Sequence, residues 1–234
     1  MPFGFYWDPT YYLVVIGAVI CMIASARVKT VFNKYNKVRS YSGMTGAEAA
    51  ERVLRASGVY DVKIARCSGS LTDHYDPRSK TVFLSDSVYN SSSVAAVGVA
   101  AHECGHAAQD AESYIPLRVR HALVPIANLG SMLAWPFILI GLLFTRNSSD
   151  LWITAGILLF TGAVAFQLVT LPVEFNASRR ALRVLHSNSI LTEDELQGTR
   201  KVLKAAALTY VASAAAIILQ LLRILLLTGG KRRD

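Results

Sequence analysis

The stretch AAHECGHAAQ, residues 100–109, puts two histidines four apart with a glutamate directly after the first. On a helix, residues i and i+4 project from one face, so His102 and His106 can offer imidazole nitrogens to one ion at about 2.0–2.1 Å. Glu103 sits where it can take a proton from a water at that ion, which is how the pattern HExxH works in metallopeptidases. The same residues also fit a plain histidine pair on an Ala-rich helix. The choice turns on a third ligand, because catalytic zinc takes three protein ligands and keeps a position for water. In a membrane protein that ligand must lie on the same side of the bilayer.

The rest of the chain reads as a membrane protein. Of its 234 residues 53% are hydrophobic and 17% charged, and the mean hydropathy is +0.36. The apolar residues cluster in four runs, 11–26, 123–144, 151–172 and 205–227. The last three are each long enough to cross a hydrocarbon core of about 30 Å. The first is shorter and reaches full length by borrowing Phe3 to Tyr12. It reads as a retained anchor rather than a cleaved signal peptide: no Lys or Arg precedes it, several follow it, and only Ala24-Ser25-Ala26 suggests a cleavage site. The net charge of +8 is spread over polar segments and the ends of apolar ones, as topology requires, with no nucleic-acid-binding motif. Cys21, Cys67 and Cys104 are scattered and odd in number, which argues against a disulfide framework and for a reducing compartment.

Residues 27–122 carry 13 Lys and Arg, and residues 173–204 carry six, whereas the loop at 145–150 has only Arg146 and nothing basic precedes residue 11. The positive-inside bias puts both long polar segments in the cytoplasm and the N-terminus outside. The chain then divides into an N-terminal anchor (1–26), an α+β region with the histidines (27–122), a helical hairpin (123–172), a polar helical segment (173–204) and a C-terminal membrane helix with a basic tail (205–234). One count disagrees. Four spans leave Lys231, Arg232 and Arg233 outside, and Arg223 falls inside the last apolar run, so that run either tilts, lies in the interface or does not span.

TRNSSD (145–150) reads as a tight turn, so the hairpin returns the chain to the side it left. Residues 27–42 continue the first helix along the membrane surface. Thr45 with Glu48 forms a capping box for a helix that ends near Gly58. YDVKIARCS and LTDHY…KTVFLSD alternate like strands around a DPRS turn (76–79), which predicts a small antiparallel sheet. Ser91 to Ser93 cap the histidine helix, about 94–112, which is too short and too interrupted to span and reads as a buried helix beside the membrane.

For the third ligand, the metzincin completion fails, because Gln109 and Glu112 stand where a glycine and a histidine are needed. The site-2 intramembrane class needs an Asp in a later span, and spans two to four have none. A glutamate on a second helix remains. Glu174 in LPVEFNASRRALRVL is expected to begin a polar helix just after Pro172, on the required face; its alternative use is an ion pair with Arg179 or Arg180. His121 and His74 stay open as ligands. His186 lies about 18 Å from Glu174 by helical rise, too far to share its ion.

HECGHAAQ, LTDHYDPRSKTVFLSDSVYN and LPVEFNASRRAL together resemble the YugP-type neutral zinc metallopeptidases of bacterial membranes, in family order and over nearly the whole chain. The layout is more distantly similar to the HtpX heat-shock protease and the CAAX prenyl protease. The resemblance implies one zinc ion on His102, His106 and Glu174, with Glu103 as base and proton shuttle. In the distant relatives an aspartate four residues after the ligand glutamate orients the first histidine. Here that position is Ser178, so Ser178 or Asn176 is expected to build the surroundings of the ligands. The TDHYDP block falls where those relatives have an edge strand that pairs with substrate, with His74 or Tyr75 as candidate oxyanion donors.

The expectation is a mainly α, multi-pass membrane protein of about four transmembrane helices, with a small α+β gluzincin-like metallopeptidase domain facing the cytoplasm of a bacterial cell. It would hydrolyse polypeptides, including membrane proteins, as a zinc endopeptidase embedded in the lipid bilayer with its site facing the cytoplasm. Other membrane subunits are candidate partners through the small-residue stretch AAALTYVASAAA (205–216); nucleic acid is not. A site-2-type intramembrane protease and a non-catalytic metal-stabilised scaffold are the alternatives.

Overall fold

The computed structural model describes residues 8–143 and 149–229. Most of the turn expected at 145–150, the residues before Asp8 and the basic tail at 231–233 lie outside them. The elements are α1 (Tyr11–Tyr35), α2 (Gly46–Ala56), β1 (Lys63–Cys67), β2 (His74–Asp76), β3 (Thr81–Ser85), α3 (Asp86–Tyr89), α4 (Val94–Ala111), α5 (Ile115–Leu143), α6 (Ser149–Ser187) and α7 (Glu193–Gly229). The protein is mainly helical, and α1, α5, α6 and α7 supply four candidate membrane spans by length and apolarity. Two compact units divide the chain.

One unit comprises Met1–Ile23, Val119–Val169 and Tyr210–Asp234. Here α5 and α6 run antiparallel at close range: a Cβ on Gly130 would meet the Leu159 carbonyl oxygen at 2.3 Å, and one on Gly156 would meet that of Ala134 at 2.9 Å. Ala134, Ile138, Phe160, Val164 and Ile224 are buried together. Gly17 of α1 packs on Ala216 of α7, so the small-residue stretch serves packing within the chain at that point. Arg223 donates to Asp8 at 2.9 Å and lies over the Tyr11 ring. A guanidinium in an apolar run is tolerated when paired, which answers the charge that disturbed the last span.

The other unit, Ala24–Arg118 with Thr170–Thr209, is arranged around α4. An α-helix apolar on every side has to be enclosed, and most of α4 is buried, among Val53 and Leu54 of α2, Val82 and Leu84 of β3, Leu185 of α6 and Leu203 of α7. The Thr45–Glu48 capping box starts α2, and Gly58, at φ +72°, ends it. The α1 helix passes residue 26 without a break and runs to Tyr35.

Two expectations need correction. The sheet is mixed, not antiparallel: its order is β1-β3-β2, with β1 parallel to β3 and β2 antiparallel to it. The connection from β1 crosses the end of β3, where the Asp73 carboxylate accepts from the Ser85 N–H and Oγ at 2.7 and 2.9 Å. That tie puts β1 and β2 on opposite edges of β3. No helix begins after Pro172 either, because α6 runs unbroken through it. Proline removes one N–H from the ladder, and the helix accepts that loss while its Val173, Ala177 and Ala181 are buried.

Ser93 opens α4. Its Oγ accepts from the Ala96 N–H at 3.1 Å and donates to Asn36 Oδ1 at 2.7 Å. Ser93→Ala should therefore cost about 1–2 kcal/mol, lowering the thermal midpoint by a few degrees, with a smaller drop for Ser91→Ala.

Candidate metal centre

Two helices bring the chemistry together, each through residues one turn apart. From α4 come His102 and His106; from α6 come Glu174 and Ser178. The helices meet where their backbones nearly touch: a Cβ on Gly105 would lie 2.6 Å from the Ala177 carbonyl oxygen. That approach carries Glu174 to the histidines. Its Oε2 is 3.3 Å from His102 Nε2 and 3.6 Å from His106 Nε2. One ligand atom from each of the three residues lies within 4.8 Å of the others. Arg180, one of the two cations offered as a partner for Glu174, instead pairs with Glu112 through two contacts of 2.6 and 2.7 Å.

The donor set fits zinc. Ligands held tetrahedrally at about 2.0–2.1 Å are about 3.3 Å apart, close to the nitrogen–oxygen separations above. The ring tautomers fit as well. Gln109, fully buried, donates through Nε2 to the Val173 carbonyl and to Asn176 Oδ1, both at 2.9 Å. The Val173 carbonyl can only accept, so Gln109 Oε1 faces His106 Nδ1 at 3.1 Å and must accept from it. The proton of neutral His106 is then on Nδ1, and the Nε2 lone pair is available. Ser178 Oγ holds His102 Nδ1 at 3.1 Å, which likewise leaves Nε2 toward Glu174. Burial opposes charge on His106, but Glu174 and Glu103 outweigh it and hold its pKa above the ordinary histidine value. The pocket favours a cation at that place.

Glu103 is buried, and its carboxylate makes no hydrogen bond or ion pair with the described residues. Burial pushes its pKa up, while His102 and His106 pull it the other way. Cys104, inside the same motif, points away and contacts the Ala50 carbonyl; burial pushes its thiol up, so it stays a thiol and packs as core.

The remaining candidates lie outside the cluster. His74 stacks on Phe83 at 4.9 Å, with Nδ1 at 2.9 Å from the Thr72 carbonyl. Tyr75 donates to Asp110 Oδ2 at 2.9 Å. Burial raises its pKa and the hydrogen bond to Asp110 adds to the rise. Both belong to the edge strand β2. His186 pairs with Glu193 at 2.6 Å, and His121 is not part of the metal-competent group among the described residues. Asn176 reaches Gln109 rather than a histidine, and also accepts from Arg180 at 2.7 Å. Gln109 is the residue that sequence reasoning passed over. A polar side chain three residues after His106, and so on the face that carries the histidines, was the signal available.

Gly105→Ala should abolish zinc retention, because the steric conflict outweighs the gain of about 1 kcal/mol in helix propensity. Gln109→Leu should weaken zinc binding by about 10–100-fold, with Ser178→Ala weaker in effect; chelator competition on the purified protein measures both.

Comparison with known proteins agrees with this geometry. Residues 10–229 match the family described as "Putative neutral zinc metallopeptidase". Over 218 residues the chain is 46% identical to "Putative membrane protease YugP" of Bacillus subtilis (strain 168), covering 92% of this chain and 95% of that protein. No solved structure matches. With the family's pattern extending over nearly its whole length, the chain belongs to the neutral zinc metallopeptidase family.

Proposed function

We propose that the protein is a membrane-embedded zinc endopeptidase, with one zinc ion held by His102, His106 and Glu174 and with Glu103 as its base. The observation that carries this reading is the convergence of two imidazoles and a buried carboxylate beside a second carboxylate, Glu103, that makes no hydrogen bond or ion pair with the described residues. When bound, zinc supplies Lewis acidity toward a water and the scissile carbonyl. Glu103 takes the proton of the attacking water and delivers it to the leaving amine, a role its burial-raised pKa suits. Gln109 holds the His106 ring in the tautomer that ligation needs, and Ser178 holds the orientation of the His102 ring.

Substrate chain would lie against β2, an edge strand of the sheet, by strand addition. The oxyanion donor in this reading is His74 in its doubly protonated form, because Nδ1 already gives its proton to the Thr72 carbonyl and Nε2 donates only when it carries a second; Tyr75 gives its proton to Asp110. The positive-inside bias supports a site in the cytoplasm of a bacterial cell, with the bilayer, polypeptides including membrane proteins, and other membrane subunits as partners. The five-part division of the chain, from anchor (1–26) to membrane helix and tail (205–234), follows from the same bias. The site-2 alternative is disfavoured because α4 is not among the four candidate spans.

Glu103→Gln should keep its zinc and lose activity on an unfolded casein-like substrate by about 10²–10⁴-fold, while Glu174→Ala should lose the metal. Unchanged activity in Glu103→Gln would leave the scaffold reading in its place.

A further inference from the structure

A groove of about 1010 Å³ runs between the second half of α6 and the first half of α7. Its far end is closed by the His186–Glu193 pair, which fixes the level of the two helices. Seven residues on from that pair along each helix come Arg179 and Arg200; eleven on come Phe175 and Lys204; fourteen on come Pro172 and Ala207. At 1.5 Å per residue these levels are about 10, 16 and 21 Å from the pair.

The groove is thus graded. Pro172, Phe175 and Ala207 make an apolar end where the apolar runs of α6 (151–172) and α7 (205–227) begin. Arg179, Arg183, Arg200 and Lys204 line the remainder, with Leu182 and Leu196 between them. None of these four cations makes an ion pair or side-chain hydrogen bond with another described residue, whereas the neighbouring Arg180 is fully engaged by Glu112 and Asn176. Glu193, the acid on the wall, is engaged by His186. Lys204, Arg200 and Arg179 stand one, five and seven residues beyond the apolar runs, or about 2–10 Å by helical rise. A bilayer's headgroup layer is about 5–8 Å deep on each side of its hydrocarbon core, so Lys204 and Arg200 fall within it and Arg179 at its outer edge.

We infer that this groove binds the headgroup of an anionic phospholipid, its phosphodiester held by Arg179, Arg200 and Lys204 and its acyl chain directed along Phe175 and Pro172. Unpaired cations concentrated at headgroup depth are complementary to such a lipid, and the apolar end is what a free phosphate would not need. A substrate peptide fits less well. The groove wall includes Ser178, which holds the Nδ1 side of His102, while the Nε2 side faces Glu174; the groove is therefore behind the ligand set. The inference does not depend on the peptidase reading.

The test uses the full chain in nanodiscs containing spin-labelled phosphatidylglycerol or phosphatidylcholine. The motionally restricted fraction of phosphatidylglycerol should exceed that of phosphatidylcholine by threefold or more, on the order of the preference expected for several cations at one headgroup. Arg179→Gln/Arg200→Gln/Lys204→Gln should remove the preference. Arg27→Gln/Lys29→Gln/Lys37→Gln, which deletes the same charge beside the first apolar run, should retain it. Arg200→Glu alone should also abolish it and serves if the triple variant does not fold. Equal restriction of both lipids, equal losses in the two triple variants, or displacement of the lipid by millimolar inorganic phosphate or hexaglutamate would overturn the assignment.

Discussion

The contact between Gly105 of α4 and the Ala177 carbonyl of α6 sets the distance on which the metal centre depends. Packed helices ordinarily keep their axes about 8–10 Å apart, and Glu174 has a short side chain. Only where small residues face one another can a carboxylate from one helix reach imidazole nitrogens on the other. Glycine in a helix interior costs about 1 kcal/mol relative to alanine. At Gly105 that loss is offset by a position for the third ligand. The other alanines of α4 do similar work toward α2, whose Ala49 and Ala50 are fully buried. The poverty of large side chains in this helix is a condition of its central place.

The approach also brings two carboxylates, Glu103 and Glu174, into a poorly solvated space with two histidines. Isolated, a buried carboxylate is unfavourable by several kcal/mol. Here the imidazoles, and a divalent ion when bound, supply the compensating charge. The polar groups behind the rings extend this order to the protein surface: Gln109 holds His106, Asn176 holds Gln109, Arg180 holds Asn176, and Glu112 at the end of α4 holds Arg180. The chain of contacts begins and ends on α4 and passes through α6, so the positions of the ligands and the packing of the two helices reinforce one another.

Local patterns made part of this legible in advance. The histidine pair, the Thr45–Glu48 box, the end of α2 at Gly58, the cap at Ser93 and the four apolar runs are each written within a few neighbouring residues. Glu174 could be singled out because a hairpin of two spans brings it back to the side of the histidines. The parallel pairing of β1 was not legible, since alternation fixes faces but not strand order, and the order here hangs on Asp73 reaching Ser85. The continuity of α6 through Pro172 has no local signal, since it depends on the burial of Val173, Ala177 and Ala181, which outweighs the helix-breaking tendency of proline. The Arg223–Asp8 pair joins residues at opposite ends of the chain, and no local pattern announces it. Gln109 belongs to no motif of its own, and its role depends on Val173 and Asn176 of α6, more than sixty residues away.

The most direct measurement is X-ray absorption spectroscopy at the zinc edge of the metal-loaded protein, wild type beside Glu174→Ala. The account predicts a shell of nitrogen and oxygen at about 2.0–2.1 Å with the outer scattering of two imidazoles and no sulfur, and a wild-type spectrum that Glu174→Ala cannot reproduce. A sulfur ligand at about 2.3 Å, or an unchanged spectrum in Glu174→Ala, would contradict it.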